Sequence, residues 1–201
     1  MNPKELQRTA QFLFEVGTLR KLNRSHRQLL LTDDMSDNIA AHSFRAIVIG
    51  YFLARMEGVN AEKVMMMLFT HDIGEARTND HNWLHKRYVA EAEDEILNEQ
   101  LGTLPSLELF NVATEYSERR TPEAIVAKDA DLLDQILLLR EYAHQGNLEA
   151  KKWLEGKTVK RPYSYVERLK TESAKALGRA IYDEEPSSWW NNLFTSERRQ
   201  L

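Results

Sequence analysis

The sequence predicts an all-α fold organised as a single domain, on three observations. Apolar residues recur at helical spacing along most of the chain. Only 8 glycines and 5 prolines interrupt its 201 residues. No segment keeps the two-residue period of a strand, and Leu29-Leu30-Leu31 is the one brief candidate. With 42% hydrophobic and 29% charged residues the composition is that of an ordinary globular domain, and the length suits one substantial domain rather than two.

Each element has its own signal. Leu6, Phe12, Leu13, Val16 and Leu19 form an amphipathic stripe near the start. Asn38 is placed to cap a helix carrying Phe44, Ile47, Val48, Tyr51 and Phe52, which should end near Gly58. Asn60 opens the next helix, through Val64, Met67 and Leu68 to His71, with Met65-Met66-Met67 read as packing. Arg77 to Asn82 is polar and reads as a loop, and Tyr88, Ala92 and Ile96 mark a further helix. Pro105 introduces a helix over 104–116. Thr121-Pro122-Glu123 starts another, apolar on most of its circumference from Ala124 to Tyr142 and therefore expected at the centre. A short helix over 148–154 follows Gly146, and Pro162 precedes a longer one through Leu169, Ala176, Leu177 and Ile181. Pro186 introduces a terminal turn or short helix, Trp189-Trp190-Asn191-Asn192-Leu193, with the two Trp expected to seal the core or a dimer contact.

A net charge of -4 gives no reason to expect a nucleic-acid polymer as partner. Without cysteine there are neither disulfides nor thiolate metal sites. The opening Met1-Asn2-Pro3-Lys4-Glu5-Leu6 is too polar for a secretory signal, and no apolar stretch approaches membrane-spanning length. The expectation is a cytoplasmic protein with no membrane association.

The chemistry concentrates in His71-Asp72, an adjacent pair within the run Leu68-Phe69-Thr70-His71-Asp72-Ile73-Gly74-Glu75. Both side chains are costly to bury unless something pairs with them. A lone His42 lies upstream, with Ala46, Ile49 and Leu53 on its own stripe, so it should point inward. Downstream, Asp129, Asp131 and Asp134 all fall in the most apolar helix, and periodicity does not select among them. Two imidazoles with carboxylates form a mixed nitrogen and oxygen donor set suited to a catalytic divalent cation. Glu75, four residues after His71 and three after Asp72, is expected on the same side of one helix end.

These residues resemble the HD-domain metal-dependent phosphohydrolases. His42, His71-Asp72 and a distant Asp fit that family's pattern, and Lys128-Asp129-Ala130-Asp131 looks like its Lys-x-x-Asp, which selects Asp131. His71-Asp72-Ile73-Gly74-Glu75-Ala76-Arg77-Thr78-Asn79-Asp80 is similar to the extended motif of the 5'-deoxynucleotidase branch, and Phe14 to Arg20 followed by Arg24 is similar to its opening helix and phosphate-binding Arg. The resemblance implies one HD-type helical bundle over 1–201, with its core at about 10–145 and a C-terminal helical extension over about 146–201. It further implies that His42, His71, Asp72 and Asp131 bind one divalent cation (Mn, Co, Fe, Zn or Mg). Glu75 and Asp80 would act as catalytic carboxylates, Arg24 would hold phosphate, and the chain would form a homodimer. The implied reaction is removal of phosphate from a small metabolite, foremost a (deoxy)nucleoside 5'-monophosphate, by a metal-activated water. The chain departs from the branch at three points. Ser25 follows Arg24 where an aromatic is usual, Ala41 precedes His42 where an acid is common, and Asn79 replaces a Gly.

Two other readings stand beside this one. The first is an HD protein of different chemistry: a diphosphohydrolase, a cyclic-nucleotide phosphodiesterase or a di-iron oxygenase. The last would need further ligands, for which His81 and His85 are available. The second is a non-catalytic, metal-stabilised interaction module, in which a spare Glu75 has no evident use.

Overall fold

The computed structural model describes residues 1–156, 164–191 and 193. Most of the helices expected from the sequence are present, and Pro162 and Asn192 lie outside the described residues. Among the described residues ten α-helices follow one another: α1 (Pro3–Val16), α2 (Arg27–Leu30), α3 (Ile39–Glu57), α4 (Ala61–Thr70), α5 (Glu75–Thr78), α6 (Glu93–Gln100), α7 (Glu108–Glu118), α8 (Pro122–His144), α9 (Leu148–Leu154) and α10 (Glu172–Asp183). Among the described residues there is no strand, only one antiparallel bridge between Asn23 and Asn38.

Local chemistry starts these helices. Asn2 and Glu5 form a reciprocal capping box at α1. The side chains of Asn38, Asn60, Thr121, Asn147 and Thr171 each accept from a backbone N–H in the first turn of α3, α4, α8, α9 and α10. Pro122 occupies the first turn of α8, where its missing N–H costs nothing. Gly58 ends α3 at φ 71°, the left-handed conformation that glycine adopts without penalty.

The long α8 is buried on most of its circumference and packs against α3, α4, α7, α9 and α10. The close approach of α3 to α4 depends on Gly50, where a Cβ would lie 2.2 Å from Leu68 Cδ1. A second, smaller core gathers Phe12, Ile73, Leu101 and Ala113. It anchors the turn after α4 to α1, α6 and α7, so the His71-Asp72 segment sits between two cores.

Several sequence expectations are corrected. Leu29 and Leu30 lie in the short α2, not a strand, because Leu31 closes that turn at φ 52°. Tyr88 stays outside α6, which begins at Glu93, and α7 begins at Glu108 rather than near Leu104. The segment over 77–82 opens with the end of α5, and Tyr165–Arg168 is a separate 3-10 turn ahead of α10, whose start is set by the Thr171 cap. Trp189 and Trp190 do not seal the core: they stack edge to face on each other and are exposed. In α3, the residues that face inward are Ile39, His42, Ala46, Ile49, Leu53 and Ala54. Phe44, Val48, Tyr51 and Phe52, which helped mark the helix, face out.

Candidate metal centre

His42 projects from the first turn of α3 toward α8, and His71 and Asp72 occupy the turn immediately after α4. Contrary to the expectation of a single helix end, α4 stops at Thr70 and Glu75 begins the new helix α5, linked back through Glu75 N–H to the Asp72 carbonyl at 3.1 Å. This break lets His71, Asp72 and Glu75 converge despite their spacing. His42 Nε2 lies 3.1 Å from His71 Nε2, 3.3 Å from Asp72 Oδ2 and 3.3 Å from Asp131 Oδ1. His71 Nε2 is 3.1 Å from Asp72 Oδ2. Among the described residues, His42, His71 and Asp72 form a three-donor cluster with ligand atoms all within 4.8 Å of one another. Asp131 joins through its contact with His42, while its Oδ2 is held by Lys128 Nζ at 2.5 Å.

The outer contacts aim the inner atoms. His71 Nδ1 donates to the Leu68 carbonyl at 2.7 Å, which leaves its Nε2 as the lone-pair end facing the cluster. His42 Nδ1 donates to Asp134 Oδ2 at 2.5 Å. Asp134 is fully buried and also receives Arg45 Nε at 2.5 Å and Arg24 NH1 at 3.3 Å. A carboxylate behind a histidine that turns its other nitrogen inward is the usual support of a metal ligand. The three acids of α8 are thereby sorted. Asp131 faces the cluster and Asp134 orients His42. Asp129 accepts from the Lys170 and Thr171 backbone N–H groups and from Thr171 Oγ1, tying α10 to α8.

This donor set fits a divalent cation. Nitrogen and oxygen atoms about 3 Å apart are spaced as neighbours around one such ion with bonds of roughly 2.1 Å. In the metal-free protein a proton takes over part of that role. Burial and Arg24 disfavour the charged form of His42, yet Asp131, Asp134 and Asp72 hold its pKa well above the ordinary value. Burial also works against ionised Asp72 and Asp131, but the two imidazoles, and Lys128 at Asp131, keep both carboxylates ionised to unusually low pH.

Glu75 differs from its neighbours. Its Oε2 is buried with no hydrogen-bond partner, and burial followed by the charges of Asp72 and Asp80 pushes its carboxyl up to about 10. Asp80 Oδ2 accepts from Ser25 N–H at 2.5 Å and Ser25 Oγ at 3.0 Å, pinning the segment that carries Arg24. Arg24 is mostly buried behind His42 rather than part of a solvated basic face, and the carboxylates around it keep it firmly charged against the cost of burial. His81 is taken by Glu91 at 2.9 Å and stacks edge to face with His85. Among the described residues, the group of three ligand atoms within 4.8 Å of one another is His42, His71 and Asp72, and it does not include His81, His85 or Glu91.

The cluster opens on a cavity of about 270 Å³ lined by His71, Asp72, Glu75 and Asp131, with Tyr116 and Arg119 on the α7 side. Tyr116 meets His71 edge to face at 5.8 Å between ring centres, and the Arg119 guanidinium lies 3.3 Å from the centre of the Tyr116 ring. Neither residue stands out in the sequence: Tyr116 reads as a helix apolar position, and Arg119 as one surface charge among several.

The model of the HD domain family matches residues 16–171. Two curated relatives, both named 5'-deoxynucleotidase HDDC2, are 26% identical. The Dictyostelium discoideum protein aligns over 125 residues, 56% of this chain and 66% of its own length. The Danio rerio protein aligns over 141, 66% of this chain and 68% of its own. The chain thus spans about two thirds of the length of the curated relatives it matches. Among solved structures, that of a predicted metal-dependent phosphohydrolase from Magnetospirillum magnetotacticum MS-1 is similar with a TM-score of 0.67 at 27% identity, covering 89% of this chain and 94% of that one. The matched segment contains His42, the His71-Asp72 pair and Asp131, and the chain belongs to the HD domain family.

Proposed function

We propose that this chain is a metal-dependent phosphohydrolase that releases phosphate from a nucleoside 5'-monophosphate. The observation that carries this reading is the convergence of two imidazole Nε2 atoms and the Asp72 carboxylate beside the partnerless Oε2 of Glu75, at the base of a cavity of small-ligand size. His42, His71, Asp72 and Asp131 would hold one divalent cation. Bound there, such an ion supplies a water acidified toward neutrality and polarises the phosphoryl oxygens.

The remaining roles belong to the protein. Glu75 would take a proton from the attacking water or return one to the leaving alkoxide, a role suited by its place in the cavity lining beside Asp72 and by the lack of a protein partner at its buried Oε2. Asp80 keeps Ser25 and Arg24 in place, and Arg24 is the guanidinium assigned to the phosphate. Asp134 holds the imidazole of His42 in the tautomer that turns Nε2 inward. The names of the 26%-identical relatives support a nucleotide as substrate.

The same reading makes the protein a cytoplasmic homodimer. No helix among the described residues is long and apolar enough to cross a membrane. On α3, Phe44 and Phe52 are 71% and 56% exposed, and Val48, Tyr51 and Met56 continue their stripe, an apolar face suited to a second copy.

Phosphate release tested across ribo- and deoxyribonucleoside 5'-monophosphates, with Mn, Co, Fe, Zn and Mg in turn, decides the function. Hydrolysis is expected with at least one cation, and Glu75→Gln should lower it by roughly 10²–10⁴-fold while the protein still binds metal. Metal-loaded protein that releases no phosphate from any of these nucleotides contradicts the assignment.

A further inference from the structure

We infer that Arg119 is the specificity residue for the base of the substrate, taking a planar nucleobase against the cavity face of its guanidinium. This rests on the nucleotide reading above. Three features of the structure support it. First, Arg119 ends α7 at φ 56°, a left-handed position where glycine or asparagine is usual and a long side chain is strained. That conformation carries the side chain back over its own helix: NH1 donates to the Tyr116 carbonyl at 2.5 Å, and the guanidinium lies over the Tyr116 ring.

Second, Tyr116 is itself buried and seated on His71, so the stack is built outward from the metal centre. The separations of 5.8 and 3.3 Å put the guanidinium no more than about 9 Å from the imidazole, a reach that one pentose spans between its 5'-phosphate and its base. One face of the guanidinium is covered by the tyrosine, and Arg119 lines the same cavity as His71 and Asp72.

Third, Arg119 makes no ion pair among the described residues, unlike Lys128, which is bound to Asp131 on the same wall. A guanidinium left free of carboxylates, flat and supported from behind, is the kind of surface on which bases stack. The cation assigned above to the phosphate is a different residue, Arg24, whose NH1 lies 2.9 Å from His42 Nδ1.

The test offers the two halves of the substrate separately to metal-loaded protein. Binding of a nucleoside and of inorganic phosphate is measured by calorimetric titration, alongside hydrolysis of the matching nucleotide. Arg119→Ala should weaken nucleoside binding by roughly tenfold and leave phosphate binding unchanged. Arg119→Gln keeps a flat amide able to donate to the Tyr116 carbonyl, so it should retain most of the nucleoside affinity even if the Ala variant folds poorly. Arg119→Lys, charged but not planar, should not. Loss of phosphate affinity in Arg119→Ala, full rescue by Lys, or no change in any variant would overturn the assignment while nucleotide hydrolysis by the wild type still upheld the nucleotide reading. Wild-type protein that hydrolyses some other phosphate ester but neither binds nucleosides nor hydrolyses nucleotides would overturn both.

Discussion

Replacing Asp134 by Asn tests the support behind the proposed metal ligand His42. Asp134 does not line the cavity beside His71 and Asp72, yet its two oxygens receive His42 Nδ1, Arg45 Nε and Arg24 NH1 in the interior of the bundle. Asn keeps the shape but offers one acceptor oxygen instead of two and no charge. The amide nitrogen would then face a donor, and His42 would lose the contact that turns its Nε2 inward. Loss of such an outer partner costs 10–100-fold in metal affinity or activity. Stability falls as well, because Arg24 is left buried with its main counter-charge gone. Breaking a buried pair from one side costs about 3–5 kcal/mol, and the conservative shape puts Asn near about 3 kcal/mol. In a domain of this size that lowers the melting temperature by roughly 6–12 °C. Metal titration by calorimetry and a thermal melt of the stripped protein read the two effects separately. Asp134→Asn protein that binds metal with wild-type affinity would refute the argument that this carboxylate orients His42.

Three further outcomes follow from the same geometry. The metal-free protein should lose stability as pH rises. Glu75 titrates near 10 when folded against an ordinary 4.5, and His42 is also raised, so the folded state holds more protons than the unfolded one; this stabilisation is complete below their unfolded values and declines toward about pH 10. Melting temperatures from pH 6 to 9 should therefore fall with chelator present and flatten with a divalent cation, and a metal-free curve that rises with pH contradicts this. Asn79 lies at φ 62° and ψ 168°, a region open to glycine and strained for other residues, so Asn79→Gly should raise the melting temperature by a few degrees, about 1–3 kcal/mol of strain offset in part by added chain freedom. An unchanged or lower melting temperature would count against that strain. Phe52→Glu, on the exposed face of α3, should convert the protein to a monomer in analytical ultracentrifugation with the fold intact, and an unaltered dimer would exclude that face.

Much of this was legible in the sequence. The inward stripe of His42, Ala46, Ile49 and Leu53, the Asn and Thr caps, and the dominance of the helix after Thr121 all follow from local rules that the packing respects. What local rules miss depends on partners distant in the chain. Asp129, Asp131 and Asp134 lie within two turns of one helix, and only their contacts with Thr171, His42 and Arg45 separate a tie to α10, a neighbour of the donor cluster and the support behind His42. The break of α4 at His71 lacks a proline or a strong cap, and the small core under Ile73 holds it in place. The outward face of α3 carries as many large apolar residues as the inward one, so hydrophobicity alone could not orient that helix. Arg119 acquires its position only because α7 ends in a left-handed turn over Tyr116.

The central claim is that one divalent cation, held by two imidazoles and two carboxylates, makes this protein a phosphohydrolase. Elemental analysis and phosphate release measured on the same preparations of wild type and His71→Ala test it most directly. One cation per chain and nucleotide hydrolysis are expected in the wild type, and neither in the variant. Hydrolysis that survives both metal stripping and His71→Ala would contradict it.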